Sequence, residues 1–416
     1  MSAPAPSPVP VPGRVRIQRG PALLAGVDEG PTLAAHRSRY GPLPTVPLAE
    51  LDRRVSAVGL RGRGGAAFPF ATKLRAAAGR RPVVVVNLSE GEPASAKDTA
   101  LALGRPHLVL DGAVATARAL GSRDVHLVLP ADRPDAAAQV RLAVAERKDR
   151  VRFRLHTADA RFVAGQARAV IELMAGRPNL PVTAWAPEAV SGHRGRPTLL
   201  SNAETWAHVG HLVLAGEATY RAHGTAEEPG TALLTITRPG FDAEVLEVPY
   251  GVRLRDVLPP FATGHPALVG GFHGAWATWE TLGATRVSVP AMAAVGLPLG
   301  AGVVHVPDPG SCPVAFTSAV VDYLAGQSAG RCGPCLNGLP ALAVAVRAMA
   351  QGRDAAARID ELTRLVARRG ACAHPDGTVR LVRSLFGALP EEVAAHRAGA
   401  CLALPSGAAS RRVVAR

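Results

Sequence analysis

The spacing of apolar positions along the chain changes character twice. In the first half, short unbroken apolar runs alternate with stretches of helical period. Residues 48–58 read as a short helix, and Val83–Val86 is a continuous apolar run followed at once by N-L-S-E-G-E-P, the pattern of a strand buried on both faces that ends in a functional loop. Residues 107–120 read as a helix, Asp124–Pro130 as a strand, Ala136–Ala145 as a helix and Val151–Thr157 as a strand. Strands separated by helical stretches predict a mostly parallel α/β sheet. Near Pro229 the pattern becomes strand, turn at Pro239–Gly240, strand and short helix, which suits a small α+β domain. After Pro309, apolar residues recur at three- and four-residue spacing over 312–325, 336–350, 354–369 and 376–386, which predicts a helical bundle.

Composition narrows this picture. The opening M-S-A-P-A-P-S-P-V-P-V-P-G lacks the basic start and apolar stretch of a secretory signal and is expected to be disordered. Residues 290–307 carry no formal charge, but three glycines, three prolines and His305 favour turns around a short strand at Val303–Val306 over a membrane span, so the chain is not expected to be transmembrane itself. Five scattered cysteines fit a reducing compartment, and a cytoplasmic location is expected. Of the 47 basic residues only Lys73, Lys97 and Lys148 are lysines; the net charge of +14 is spread along the chain with no zinc-finger or RNA-binding motif. Nucleic acid is therefore not expected as a partner. A solvated basic surface and a docking face for an acidic protein both fit the charge.

Three stretches carry candidate chemistry. G-L-R-G-R-G-G-A-A-F-P-F (59–70) places Gly62, Gly64 and Gly65 where successive amides can cradle an anion, with Lys73 just beyond. It is not a dinucleotide fingerprint, because the spacing differs and no strand runs into it. N-L-S-E-G-E-P-A-S-A-K-D (87–98) sits at the carboxyl end of a strand, where open α/β sheets bind ligands; Asn87 can hydrogen-bond a heterocycle, and Glu90 and Glu92 can orient a substrate. C-G-P-C (332–335), with Cys372 further on, has the spacing of a metal or redox site.

Together these motifs resemble the flavin-carrying subunit of respiratory complex I and its hydrogenase and formate dehydrogenase relatives. The glycine loop is similar to that family's G-L-R-G-R-G-G-A-G-F-P-T-G-x-K-W. The second loop is similar to N-A-D-E-S-E-P-G-T-x-K-D, P-T-L-L-S-N-A-E-T (197–205) to P-T-x-x-N-N-V-E-T, and G-R-C-G-P-C-L-N-G with G-A-C-A-H-P-D-G to the family's cysteine motifs. The matches fall in family order from about residue 45 to 390. The resemblance implies an FMN/NAD-binding α/β domain over 14–228, a β-grasp domain of the soluble-ligand-binding type over 229–308 and a helical iron–sulfur domain over 309–397. Tails at 1–13 and 398–416 flank them. It also implies transfer of electrons from NADH through FMN and a [4Fe–4S] cluster to a protein or quinone-linked acceptor, since a flavin accepts two electrons and releases them singly. A ferredoxin-like or [2Fe–2S] partner protein would follow, with docking on a membrane complex. The residues it assigns are Gly62, Arg63, Gly64, Gly65, Phe68, Lys73, Asn87, Ser89, Glu90, Gly165, Gln166, Asn202 and Thr205 for FMN and nucleotide, with Glu90 beside the nicotinamide as the catalytic residue.

Departures from the family pattern gather at the dinucleotide side. Ser89 stands where the family has aspartate, Phe162 where it has tyrosine, and Gln166 and Ala167 where it has two glutamates; L-P-V-T-A-W-A-P-E-A keeps little of K-P-P-F-P-A, with Trp185 as a replacement aromatic face. A second reading follows: an electron-transfer scaffold that keeps the fold, does not oxidise NADH and takes electrons from a donor such as ferredoxin. Of the family's four cluster cysteines, Cys332, Cys335 and Cys372 match and Ala329 takes the place of the first. A cluster held by three thiolates, including a [3Fe–4S] form, and a zinc site completed by His374 both fit these residues, and Ser328 or His374 is available as a fourth cluster ligand. Cys312 lies a helix length away, roughly 20 Å at 1.5 Å per residue. Cys401 stays open as a ligand.

Overall fold

The computed structural model describes residues 7–9, 11–79 and 81–403. The expected tails therefore lie largely outside the described residues. Within the first of them Val9 is buried, in one cluster with Ala94, Phe272 and Tyr323.

The first part of the chain comprises β1 (Val15–Ile17), α1 (Leu33–Tyr40), α2 (Leu48–Ala57), α3 (Phe70–Ala77), β2 (Val83–Asn87), α4 (Lys97–Gly104), α5 (Pro106–Leu120), β3 (Asp124–Pro130), α6 (Pro134–Ala145), β4 (Arg152–Ala158), α7 (Ala167–Met174), β5 (Thr198–Asn202) and α8 (Ala203–Arg221). Strands β4, β3, β2 and β5 lie in that order and all pairs are parallel. The V-V-V-V-N run fills the inner strand β2, every residue of which is buried, because helices cover both faces of a parallel sheet. The chain steps from β2 to β3 and β4, then returns to β5 on the other side of β2. This reversal leaves a crevice at the carboxyl ends of β2 and β5, where Asn87 and Asn202 are register partners.

A second sheet, in the order β1-β7-β6-β10-β8-β9, contains β6 (Thr231–Thr237), β7 (Ala243–Pro249), β8 (Ala267–Val269), β9 (Ala275–Ala277) and β10 (Val303–His305). Its edge strand β1 comes from the start of the chain and pairs parallel with β7. Two short helices, α9 (Trp279–Ala284) and α10 (Val289–Ala294), connect β9 to β10. The uncharged 290–307 stretch is thus a helix end, turns and a strand. Among the described residues no helix is long and apolar enough to cross a membrane.

Five helices complete the chain: α11 (Pro313–Gly326), α12 (Leu339–Ala350), α13 (Ala356–Val366), α14 (His374–Ala388) and α15 (Pro390–Arg397). Their apolar faces share a core with Phe272 and Trp276 of the second sheet, and the Trp276 indole donates to Thr317 Oγ1 at 2.9 Å.

Helices α1, α3, α4, α7, α8, α9, α10 and α15 were not expected from the sequence. Every residue of α8 from Ala203 to Val213 is buried, so it has no polar face to give it a helical period, and it breaks at Gly216 (φ +85°). Helices α5 and α8 pack at backbone contact: a Cβ on Gly112 would lie 2.0 Å from the Trp206 carbonyl oxygen, and one on Gly210 2.2 Å from that of Leu108. Gly112→Ala is therefore expected to force these helices apart and cost about 1–3 kcal/mol, the usual range for overpacking. Denaturant unfolding would measure it, and an unchanged midpoint would contradict the close crossing.

Candidate functional site

The crevice at β2 and β5 is built from three loops. Asn87 ends β2; its amide donates to the Gly165 carbonyl at 2.8 Å, and its oxygen accepts the Ser89 hydroxyl at 2.6 Å and the Ser89 amide at 3.1 Å. A Cβ on Gly165 would lie 3.0 Å from Ser89 Oγ, a tight contact, so the loop before α7 runs close against the Ser89 side chain. On the β5 side, Thr205 donates to Asn202 Oδ1 at 2.6 Å and accepts the Arg63 amide at 2.9 Å, which pins the glycine loop over the start of α8. No atom lies within 3.4 Å of where a Cβ would stand on Gly62, Gly64 or Gly65, and Gly65 has φ +94°. Gly64 faces open space, whereas Gly62 and Gly65 pass the Phe68 carbonyl and the Gly300 backbone at ordinary contact distance, and the buried Arg63 Nε has no partner among the described residues.

Glu90 has φ +29°, and its carboxylate turns toward α4: it accepts the Asp98 and Thr99 amides at 3.0 Å each, the Thr99 hydroxyl at 2.6 Å and the Ser95 hydroxyl at 2.8 Å. Burial raises its pKa, but Arg133, Lys97 and these hydrogen bonds outweigh that and hold it below the ordinary range. Lys97, buried, reaches Asp98 at 3.1 Å and Glu204 at 2.9 Å. Asp98 accepts from Asn202 Nδ2 at 3.1 Å and from the Glu204 amide at 2.9 Å, and burial pushes it up to about 6. Beside the crevice, Ser89, Gly91, Asp132, Arg161, Tyr323 and Gln327 line a cavity of about 280 Å³.

The remaining expected residues lie as follows. Lys73 binds Glu188 at 3.1 Å and the Leu200 carbonyl at 3.3 Å. Phe68 is half exposed, Gln166 immediately precedes α7, and Trp185 is 88% exposed, its ring open to solvent. Phe162 sits in an aromatic group with Phe272, Tyr323, His273 and His374, and its carbonyl oxygen would lie 2.4 Å from a Cβ on Gly91.

Cys332, Cys335 and Cys372 come together at the far end of α11, with Cys335 inside one wide helical turn, Pro334–Gly338, that leads into α12. Burial pushes the Cys335 thiol up to about 11, reinforced by Cys332 and Cys372 beside it. Burial acts the same way on Cys332, but the Ala371 and Cys335 amides more than offset it. His374 is no ligand here. Its Nε2 meets the Leu324 carbonyl at 2.8 Å and its Nδ1 meets His273 at 3.1 Å, so neither ring nitrogen is free.

Two regions of the chain match known protein families. Residues 55–211 match the Nuo51 FMN-binding domain, and residues 315–396 match the iron–sulfur binding region of NADH-ubiquinone oxidoreductase F. Over these two regions the chain is homologous, at low identity, to NADH-quinone oxidoreductase F and hydrogenase subunits. The F 2 subunit of NADH-quinone oxidoreductase in Rhizobium meliloti is 26% identical over 90% of this chain and 94% of its own length. The NADP-reducing hydrogenase component HndC of Solidesulfovibrio fructosivorans is 27% identical over 77% and 70%. In structure, a chain of the air-oxidised NAD+-reducing [NiFe]-hydrogenase superposes with a TM-score of 0.80 at 28% identity, covering 91% of this chain and 67% of that one.

Glu92, expected from the sequence to orient a substrate, anchors two loops to each other. Its carboxylate accepts the Phe272 amide at 2.7 Å and the Ala94 amide at 3.3 Å, joining the β2 loop to the β8–β9 turn, where a Cβ on Gly271 would lie 2.5 Å from it. Burial raises its pKa from 4.5 to about 7. Between these values the folded chain keeps a proton that the unfolded chain has lost, so the stability from this group is complete below 4.5 and lost as pH rises through 7. Glu92→Gln is expected to flatten the fall in stability across that window. Denaturant midpoints at about pH 4.5 and pH 8 would check this, and equal slopes in both proteins would refute it.

Proposed function

We propose that the chain is the flavin subunit of an NADH-dehydrogenase-type oxidoreductase, passing electrons from NADH through FMN and an iron–sulfur cluster to a protein or quinone-linked acceptor. One observation carries the reading: a glycine loop with room at Gly64 and paired asparagines at the switch point of a parallel sheet lie within the stretch that matches an FMN-binding domain. FMN, when bound, supplies the change from two-electron to one-electron chemistry.

In this reading Gly62, Arg63, Gly64 and Gly65 hold the phosphate end through backbone amides, and Lys73 adds charge behind β5. Asn87, Ser89, Gly165, Asn202 and Thr205 fix the walls around the ring system. Glu90 is a positioning residue, because its oxygens cap α4. Phe68 and Gln166 lie on the nucleotide side. Residues 229–308 form the β-grasp unit and 309–397 the bundle that carries the cluster on Cys332, Cys335 and Cys372. Phe162 meets Gly91 through its backbone carbonyl and packs its ring near His374, two residues from Cys372, so one residue links the β2 loop to the cysteine loop. A ferredoxin-like or [2Fe–2S] partner protein takes the electrons. The scaffold reading, with ferredoxin as donor, rests on Ser89, Gln166 and Ala167, which remove three carboxylates of the family pattern.

Purified protein is expected to carry FMN that NADH bleaches on rapid mixing. Gly65→Val, which forces a branched side chain to φ +94°, is expected to weaken FMN binding about tenfold or more. Bleaching by dithionite but not by NADH would select the scaffold. Absence of flavin after reconstitution would refute both.

Three thiolates leave one cluster corner to a non-cysteine ligand, so the cluster is expected to be oxygen-labile. Ala329→Cys is expected to slow its loss in air, and Cys372→Ala to abolish its paramagnetic resonance signal. An unchanged signal in Cys372→Ala would overturn the assignment.

A further inference from the structure

Cys312 and Cys401, which take no part in the reading above, meet at the opposite end of α11 from the three cysteines. We propose that Cys312, Glu392, His396 and Cys401 form a second metal site, closed and structural, that takes a zinc-class divalent cation. Their ligand atoms all lie within 4.8 Å of one another. Cys312 Sγ is 3.1 Å from His396 Nε2 and 3.5 Å from Glu392 Oε1, Cys401 Sγ is 3.3 Å from the same oxygen, and that oxygen is 3.2 Å from Nε2. A tetrahedral zinc site with bonds of about 2.0–2.3 Å has edges of about 3.3–3.8 Å, so a cation fits with small adjustments.

The ligands are aimed by their surroundings. Glu392 and His396 are one turn apart on α15 and share a face. His396 Nδ1 meets the Met349 carbonyl at 3.2 Å; that acceptor keeps the proton on Nδ1 and leaves the Nε2 lone pair toward the cysteines, the outer-shell arrangement of a metal-bound histidine. Cys312 caps α11, its sulfur accepting the Ala315 amide at 3.3 Å. Cys401 returns to the group because Gly399 (φ +78°) ends α15 and passes against Gly352, where a Cβ would lie 3.1 Å from Gly399 Cα. Two sulfurs, an imidazole and one carboxylate suit zinc and exclude magnesium or calcium, which require oxygen ligands. Four protein ligands leave no open position, so the cation would tie the start of α11 to α15 and the chain beyond it.

The test is elemental analysis of the full chain after incubation with Zn2+ and desalting, beside its iron content. About one zinc per chain is expected. It should persist in Cys332→Ser/Cys372→Ser, which removes the iron, and disappear in Cys312→Ser/Cys401→Ser, which keeps it. His396→Gln, a milder change, should release zinc without loss of iron, and Co2+ in place of zinc should give thiolate charge-transfer absorption that weakens when one of Cys312 and Cys401 is replaced and is lost when both are. No retained zinc, zinc unaffected by these variants, iron lost with it, or a Cys312–Cys401 disulfide in the purified protein would each overturn the site.

Discussion

Lys97 is 3% exposed, and its ammonium lies between two buried carboxylates. Asp98 holds Asn202 and the start of α8, while Glu204 accepts the Leu233 amide of β6, so one cation ties α4, α8 and the second sheet together. Charges buried this deeply are tolerated only when paired and hydrogen-bonded, and removing one partner of such a group typically costs about 3–5 kcal/mol. Glu90 extends the same network to the β2 loop by capping α4. The shape of the crevice therefore depends on charges that never face it.

That arrangement separates the cradle from its supports. The glycine loop contributes backbone and space, whereas the polar side chains around it mostly satisfy one another. A site of this kind binds through fixed amides and a preformed gap, which costs little reorganisation when a ligand enters. The Ser89 substitution fits it: the hydroxyl closes on Asn87 and adds no charge beside the cleft.

Much of the α/β layer was legible in the chain itself. The V-V-V-V-N run, the D-V-H-L-V-L-P strand and the helix before it follow from period and from unbroken apolar runs, and the structure has them with shifts of a residue or two at their ends. The loops at the strand ends were legible as ligand sites because glycine clusters and strand-terminal asparagine have few other uses. Helix α8 was not, since burial on all sides removes the amphipathic signal. Nor was the Glu90 cap, because nothing in the spacing shows which way a loop carboxylate turns. His374 looked like a ligand by its distance from Cys372; its ring nitrogens are taken by neighbours far away in the chain.

The sequence alone determined the local elements, the glycine cradle and the three-cysteine motif, since each depends on residues within a few positions of one another. Only the tertiary structure decided which polar groups pair. Cys312 and Cys401 show the reason: sequence separation placed Cys312 too far from the cysteine motif and left Cys401 open as a ligand there, yet the return of the chain at Gly399 brings both against α15. Long-range pairing is set by helix packing and chain reversal, and neither leaves a local pattern to read.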